Sequence, residues 1–301
     1  MSHVTNEAQK DLASGYRAAA RRGARTNLLQ KLVVSALLIA GSILFMLPVY
    51  IVVSMSLKTQ EEISKSNPWS WPANPNWQNF TTLLTDPEFN FALKFTNTLI
   101  YFGILPTIGV TLTAAMVAYP FARLRFRGRD RLFILLLSTM MLPGVVTMIP
   151  GYVLNAKLGW IDTFYPFVVP AFFGGGAFNI FLVRQFLMGI PREMDEAAKI
   201  DGASYGRVFW QILLPNCGPV LATIAVFSFV GGFRDFLGPL MYLNSPEKMT
   251  LEIGLRSLQG IRGTEWNYLM AGSLLVLLPM VVIFLACQRY FIKGITLTGG
   301  K

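Results

Sequence analysis

Charge is what this sequence has least of. Only 14% of its 301 residues are Asp, Glu, Lys or Arg, against about 25% in an ordinary soluble domain. The shortage is concentrated in six stretches, 32–57, 95–122, 132–156, 163–183, 208–233 and 266–288, which contain none of the four. Each is at least as long as the roughly 20 apolar residues that cross the hydrocarbon core of a bilayer. A soluble globular chain is excluded, and the expected fold class is an all-α integral membrane protein with six transmembrane helices.

Other absences narrow the chemistry. The one histidine, His3, stands far from any acidic cluster, and Cys217 and Cys287 are the two cysteines. No metal site and no disulfide framework can be assembled from that inventory. No G-x-x-x-x-G-K-[ST] loop is present, so the chain cannot cradle nucleotide phosphates by itself. The uncharged stretches hold no Asp, Glu, His or Lys to carry a proton or bind sodium, which argues against an ion-coupled carrier. No nucleophile, base and acid occur with a spacing that argues for an enzyme. A helix bundle with no engine of its own implies that work arrives from outside.

The charge that is present is unevenly placed. Net charge is +10, and 18 of the 26 Lys and Arg fall before the first stretch, between the second and third, between the fourth and fifth, or after the sixth. The positive-inside rule puts those segments, and so both termini, in the cytoplasm. The basic balance therefore points to anionic lipid headgroups and not to nucleic acid, most clearly in the turn FARLRFRGRDR, Phe121–Arg131. The first apolar stretch is too long for a signal-peptide core, and it reads as an uncleaved first helix.

The remaining inter-span segments are external. The 58–94 loop gathers Trp69, Trp71 and Trp77 among prolines and asparagines. Tryptophan in that setting fits an interfacial belt, with a docking surface for an external partner as the alternative. Pro106, Pro120, Pro143, Pro150, Pro166 and Pro170 fall within the second to fourth stretches, and Gly174–Gly176 adds a weak point. Bent helices around a cavity are the expectation.

Between the fourth and fifth stretches lies a segment built like a soluble helix–turn–helix. Pro191 marks a helix start and Glu193, Asp195 and Glu196 load its first turns. Lys199 comes near the end and Gly202 just beyond. Ser204 can cap a second helix running through Phe209 until Pro215 interrupts it.

The pattern E-A-A-x-x-D-G-A, then Phe, then I-x-L-P, resembles the EAA loop of ABC-transporter permease subunits of the carbohydrate-uptake class, above all the second permease subunit of the maltose type. Glu196, Ala197, Ala198, Asp201, Gly202, Ala203, Phe209, Ile212, Leu214 and Pro215 carry the match. Asn79–Phe80, then Pro239, Leu240, Tyr242 and Leu243, and the tail residues Gly294, Thr296, Gly299, Gly300 and Lys301 extend it. Arg234 departs from the aromatic-Asn type of pattern before the acid Asp235.

The resemblance implies a type I ABC importer permease fold. It would have a cytoplasmic segment 1–31, a permease domain 32–291 and a cytoplasmic tail 292–301, with the coupling loop at 186–215. Spans are expected near 32–57, 95–122, 132–154, 163–184, 216–243 and 266–289. It further implies a bacterial or archaeal plasma membrane, a second permease subunit, an external solute-binding protein and a dimeric cytoplasmic ATPase. That ATPase would use ATP and Mg and contact the coupling loop and the tail residues Gly294, Thr296, Gly300 and Lys301. The chain itself would hold no cofactor and no metal. The solute would be a sugar, with glycerol phosphate, a polyol or a peptide as alternatives. Asn97, Asn179, Ser228 and Asp235 are candidate pathway residues; Asn97, Asn179 and Ser228, with Thr98, suit hydrogen bonding between helices equally well.

Overall fold

In the computed structural model, residues 30–260 and 263–298 are described, and they are almost wholly helical. Among the described residues, four helices are long and apolar enough to cross a membrane, and six if each of two bent pairs counts as one span. The labels run α1 Gln30–Ser56, α2 Phe91–Arg123, α3 Arg129–Met141, α4 Gly144–Lys157, α5 Ala177–Gly189, α6 Glu193–Ile200, α7 Tyr205–Asn216, α8 Gly218–Phe233 and α9 Trp266–Thr298. Before α5 come the short turns Tyr165–Val168 and Pro170–Phe172. The one pairing of strands among the described residues is β1 Gln259–Gly260 against β2 Gly263–Thr264, antiparallel, just before α9.

Prolines decide where the spans break. The sequence reads 132–154 as one crossing, but α3 and α4 meet at 97°. Pro143 is the cause: a residue before proline is pushed out of the helical region, and Leu142 is extended at φ −79°, ψ 116°. The stretch read as 216–243 stops at Phe233, bends 76° from α7 at Cys217, and resumes only as the short helix Leu237–Tyr242.

Two other prolines are absorbed without a kink. Thr98–Ile104 and Val208–Leu213 form wide π turns, one ending two residues before Pro106 and the other two before Pro215. A proline offers no N–H and its ring crowds the carbonyl four residues back. Widening the preceding turn lets Leu105 N–H reach Ile100 O and Leu214 N–H reach Phe209 O instead.

Two apolar clusters hold the bundle. One joins Ala114, Ala115 and Ala118 of α2 to Ile180, Val183 and Leu187 of α5, and both to Val220 and Ile224 of α8. Alanine at the crossing lets backbones approach, which is how helices gain packing energy where lipid is as apolar as leucine. The other joins Phe91 and Phe229 to Leu251, Leu255 and Leu269. Where α8 crosses α2, a Cβ on Gly232 would overlap the carbonyl of Phe102, so only glycine permits that crossing. By contrast α1 is almost wholly exposed from Leu32 to Tyr50; Phe45 is 80% exposed.

Polar groups organise the end of the bundle remote from α6 and α7. Lys58, 1% exposed, donates to Ser66 Oγ, Asn67 O and Ser70 Oγ at 3.0–3.1 Å. Asn79 donates to the carbonyls of Ser56 and Lys58, and its own oxygen accepts from Asn267 of α9 at 3.0 Å. Asp162 accepts at 3.0 Å from the backbone N–H groups of Asn244 and Ser245 and from Lys248 Nζ, and it also takes the Ser245 hydroxyl. Those donors, the Ser245 side chain first, hold its carboxyl well below the usual range.

Candidate functional site

The hairpin α6–α7 is assembled from local signals that agree. Glu193, Asp195 and Glu196 occupy the first turn of α6 and Lys199 the last, each favourable with the helix dipole by about 0.3–1 kcal/mol. The end is a Schellman closure: Ala203 N–H donates to Ala198 O at 2.9 Å and Gly202 N–H to Lys199 O at 3.0 Å. Gly202 stands at φ +80°, a left-handed conformation that costs other residues about 1–2 kcal/mol. Ser204 Oγ accepts from Arg207 N–H at 3.3 Å and caps α7. The sequence ends the second helix at Pro215; through the π turn it continues to Asn216.

The hairpin is fastened to the bundle through its buried face. Ala198, Val208, Phe209 and Leu213 join the cluster formed by α2, α5 and α8. The Phe209 ring lies 5.2 Å from that of Tyr119 on α2, whose hydroxyl donates to Tyr205 O at 3.2 Å. At the end of α2, Arg123 Nε stands 3.2 Å from Asp195 Oδ2, with the two side chains 4% and 11% exposed. This is an ion pair without a directed hydrogen bond, and Asp195 Oδ1 has no hydrogen-bond partner among the described residues. Arg123 Nη2 donates instead to Ile190 O at 2.9 Å, just before the hairpin begins. Arg184 on α5 donates to Phe121 O at 3.2 Å and lies 4.1 Å above the Phe133 ring of α3. Three helices, α2, α5 and α8, thus grip one hairpin.

What remains outward is a continuous face of Glu196, Ala197, Ile200, Asp201 and Gly202. Ile200 is 86% exposed, an apolar side chain at the tip of a polar helix. Beside it, a cavity of about 460 Å³ is lined by Arg123, Arg125, Arg192, Asp195, Glu196 and Lys199 among others. Ile212 and Leu214 are half-buried, Ala203 partly so, and Pro215 is exposed. The matched residues therefore divide between those that hold the hairpin and those that face away. Asp195, Arg123 and Ile200 escaped the motif. Asp195 precedes the matched glutamate and Arg123 reads as one of a ladder of lipid-facing arginines; only the three-dimensional contact joins them.

Three of the four pathway candidates are held by separate contacts. Asn97, 5% exposed, donates to the carbonyls of Glu247 and Met249 at 2.8 and 3.2 Å, tying α2 to the 244–265 loop. Asn179 donates to Gly175 O at 2.8 Å within its own helix start. Asp235 accepts from Gly238 N–H at 3.0 Å and caps the turn Leu237–Tyr242. Ser228 is half-buried in α8. Gly294 and Thr296 lie on the last turns of α9, whereas Gly300 and Lys301 lie outside the described residues.

Comparison with known proteins identifies the family and the fold. Residues 111–296 match the family described as binding-protein-dependent transport system inner membrane component. An arabinooligosaccharides transport system permease protein, AraQ, of Halalkalibacterium halodurans is 35% identical over 243 residues, 76% of this chain and 86% of that protein. The sn-glycerol-3-phosphate transport system permease protein UgpE of Yersinia pestis is 31% identical, covering 86% of this chain and 93% of its own length. A crystal structure of a bacterial ABC transporter involved in import of the acidic polysaccharide alginate contains a chain with the same fold. Its TM-score is 0.72 at 22% identity, over 89% of this chain and 98% of that one. The chain belongs to the family of binding-protein-dependent transport system inner membrane components, and it is a transport permease, not an enzyme.

Proposed function

We propose that this permease is one of two transmembrane subunits of an ATP-driven saccharide importer, crossing a bacterial inner membrane six times with both termini in the cytoplasm. The saccharide reading is supported by relatives such as AraQ and GanQ, whose names specify arabinooligosaccharides and galactooligosaccharides. The six crossings follow from counting each bent pair as one span, and the orientation from the placement of Lys and Arg. A separate ATPase, binding ATP and Mg on its own residues, would engage the outward face of α6, with an external solute-binding protein meeting the opposite end. The second permease and lipid would cover α1.

The observation that carries this reading is the hairpin fixed through its buried face and free on the other. A surface pair formed by Glu196 adds little by itself, so insertion of Ile200 and the small face around Ala197 would carry the contact. Because α6 and α7 share one packed core with α2, α5 and α8, a displacement imposed on the hairpin moves those helices as a body and switches access between the two sides.

The test is Gly202→Pro in the assembled transporter reconstituted in vesicles. The variant inserts, yet uptake no longer follows ATP hydrolysis and vanadate no longer inhibits it. Wild-type uptake with normal ATPase stimulation by that variant would overturn the coupling role, and failure to co-purify any ATPase would overturn the importer reading.

A further inference from the structure

Sixteen residues of α8 separate the hairpin from a second cavity, a distance of roughly 24 Å along the helix. This cavity is about 760 Å³, within the range of about 300–1,000 Å³ common for small-molecule sites. Arg234 enters it from the end of α8, Glu252 and Arg256 from the short helix Leu251–Ser257, and Gln259 from β1. Trp266 and Ser273 come from the start of α9, whose apolar side chains form the floor. None of these six serves the coupling hairpin.

The chemistry of the lining is selective. Two guanidiniums face the same space, and neither forms an ion pair among the described residues. Arg256 donates to the amide oxygen of Gln259, which turns its planar fork along the wall. Glu252 is the one acid in the lining. Burial pushes its carboxyl above the usual range, partly offset by Arg234, and one carboxyl stands against two guanidiniums. Guanidinium forks match the geometry of carboxylate and phosphate oxygens, and an exposed indole offers a flat apolar face with a polar edge. Glu252, Gln259 and Ser273 add acceptors and donors for hydroxyl groups. An anionic group on a polyhydroxylated body satisfies all of these at once; a neutral sugar offers the arginines hydroxyl acceptors but no opposing charge.

Resting on the importer reading, we propose that this cavity is a subsite for saccharides or polyols bearing a carboxylate or phosphate, with Arg234 and Arg256 holding the anion and Trp266 the apolar face of the body. Arg234 is then a specificity determinant of this chain.

The experiment measures binding by calorimetry to the complete transporter in lipid nanodiscs, without the external binding protein. Digalacturonate, glucose 6-phosphate and neutral galactobiose are the probes. At least one anionic probe binds about tenfold or more tightly than galactobiose, as charge-assisted hydrogen bonds imply, and the stronger anion identifies carboxylate or phosphate as the cargo group. Arg234→Gln and Arg256→Gln each weaken anion binding by about tenfold more than they weaken galactobiose binding. Arg234→Lys, which keeps the charge and spares the fold, retains salt-sensitive binding but loses most of the preference. Equal affinity for all three probes, no binding of either anion, or an anion preference untouched by the arginine variants would overturn the proposal. ATPase activity of the same nanodiscs is read in parallel, so an assembled, ATP-hydrolysing transporter without anion preference sinks this inference alone.

Discussion

The two ends of the bundle solve the same problem, holding short segments against long helices, by opposite means. At the hairpin end the fastening is apolar and close: alanines, Phe209, Leu213 and one buried ion pair, with a clean outward face. At the other end it is polar and distributed: Lys58, Asn79, Asn97 and Asp162 spend their donors and acceptors on backbone groups of loops. A packed core transmits displacement because it resists compression. A net of loop hydrogen bonds can open one link at a time. The first suits a handle and the second suits a mouth that must admit a solute.

The contrast can be broken at several points. The largest expected effect is at the buried pair: Asp195→Ala leaves Arg123 buried without its partner, a loss of about 3–5 kcal/mol, seen as a lower unfolding temperature in nanodiscs. Arg123→Met combined with Asp195→Leu should recover most of it; no recovery would mean that the pair does more than fill space. Next comes Gly232→Val, where overpacking against the Phe102 carbonyl costs about 1–3 kcal/mol, read by the same melt. Ser204→Ala removes the cap of α7 for about 1 kcal/mol, measured as faster amide exchange in residues 205–210 and no change at the far end.

Asp162→Asn probes the polar end. A carboxyl held below its unfolded value contributes stability that is full above about pH 4 and disappears as pH falls through the depressed value. The melting difference between wild type and variant is therefore constant from neutral pH down to about pH 5 and closes in stronger acid. A gap that widens on acidification would refute the assignment. The smallest change in stability belongs to Glu196→Lys on the exposed face, within about 0.5 kcal/mol, while ATP-coupled uptake falls because the reversed charge repels a surface that the native residue only weakly attracts. Unaltered uptake would place the coupling contact elsewhere, with Ile200→Ser as the companion variant.

Much of this was legible before any coordinates. Missing charge marked the membrane-spanning stretches, and the hairpin carried its own caps: Glu193 to Glu196, Gly202 and Ser204 are local signals that the backbone obeys. What could not be read depends on partners distant in sequence. Nothing near Arg123 distinguishes it from Arg125, and Asp162 is an unremarked loop acid until Ser245 and Lys248 are folded over it. Pro143, Pro106 and Pro215 are equally visible as prolines, yet the first produces a bend and the others a widened turn. That choice is made by packing around the backbone, as where Gly232 admits the Phe102 carbonyl inside the Thr98–Ile104 π turn.

Those widened turns have a consequence for how the chain tolerates length changes. A π turn accommodates one residue more than the α-helix around it while both flanks keep their phase. Removing one residue from Thr98–Ile104 keeps Phe91 and Ala114 in phase with their neighbours, at the cost of setting the Pro106 ring against the carbonyl four residues back. The same deletion between Ala114 and Arg123 rotates one flank by about 100° and swings Tyr119 and Arg123 away from the hairpin. Within one span, the place where the ladder is irregular is the place where a deletion preserves the phase of both flanks.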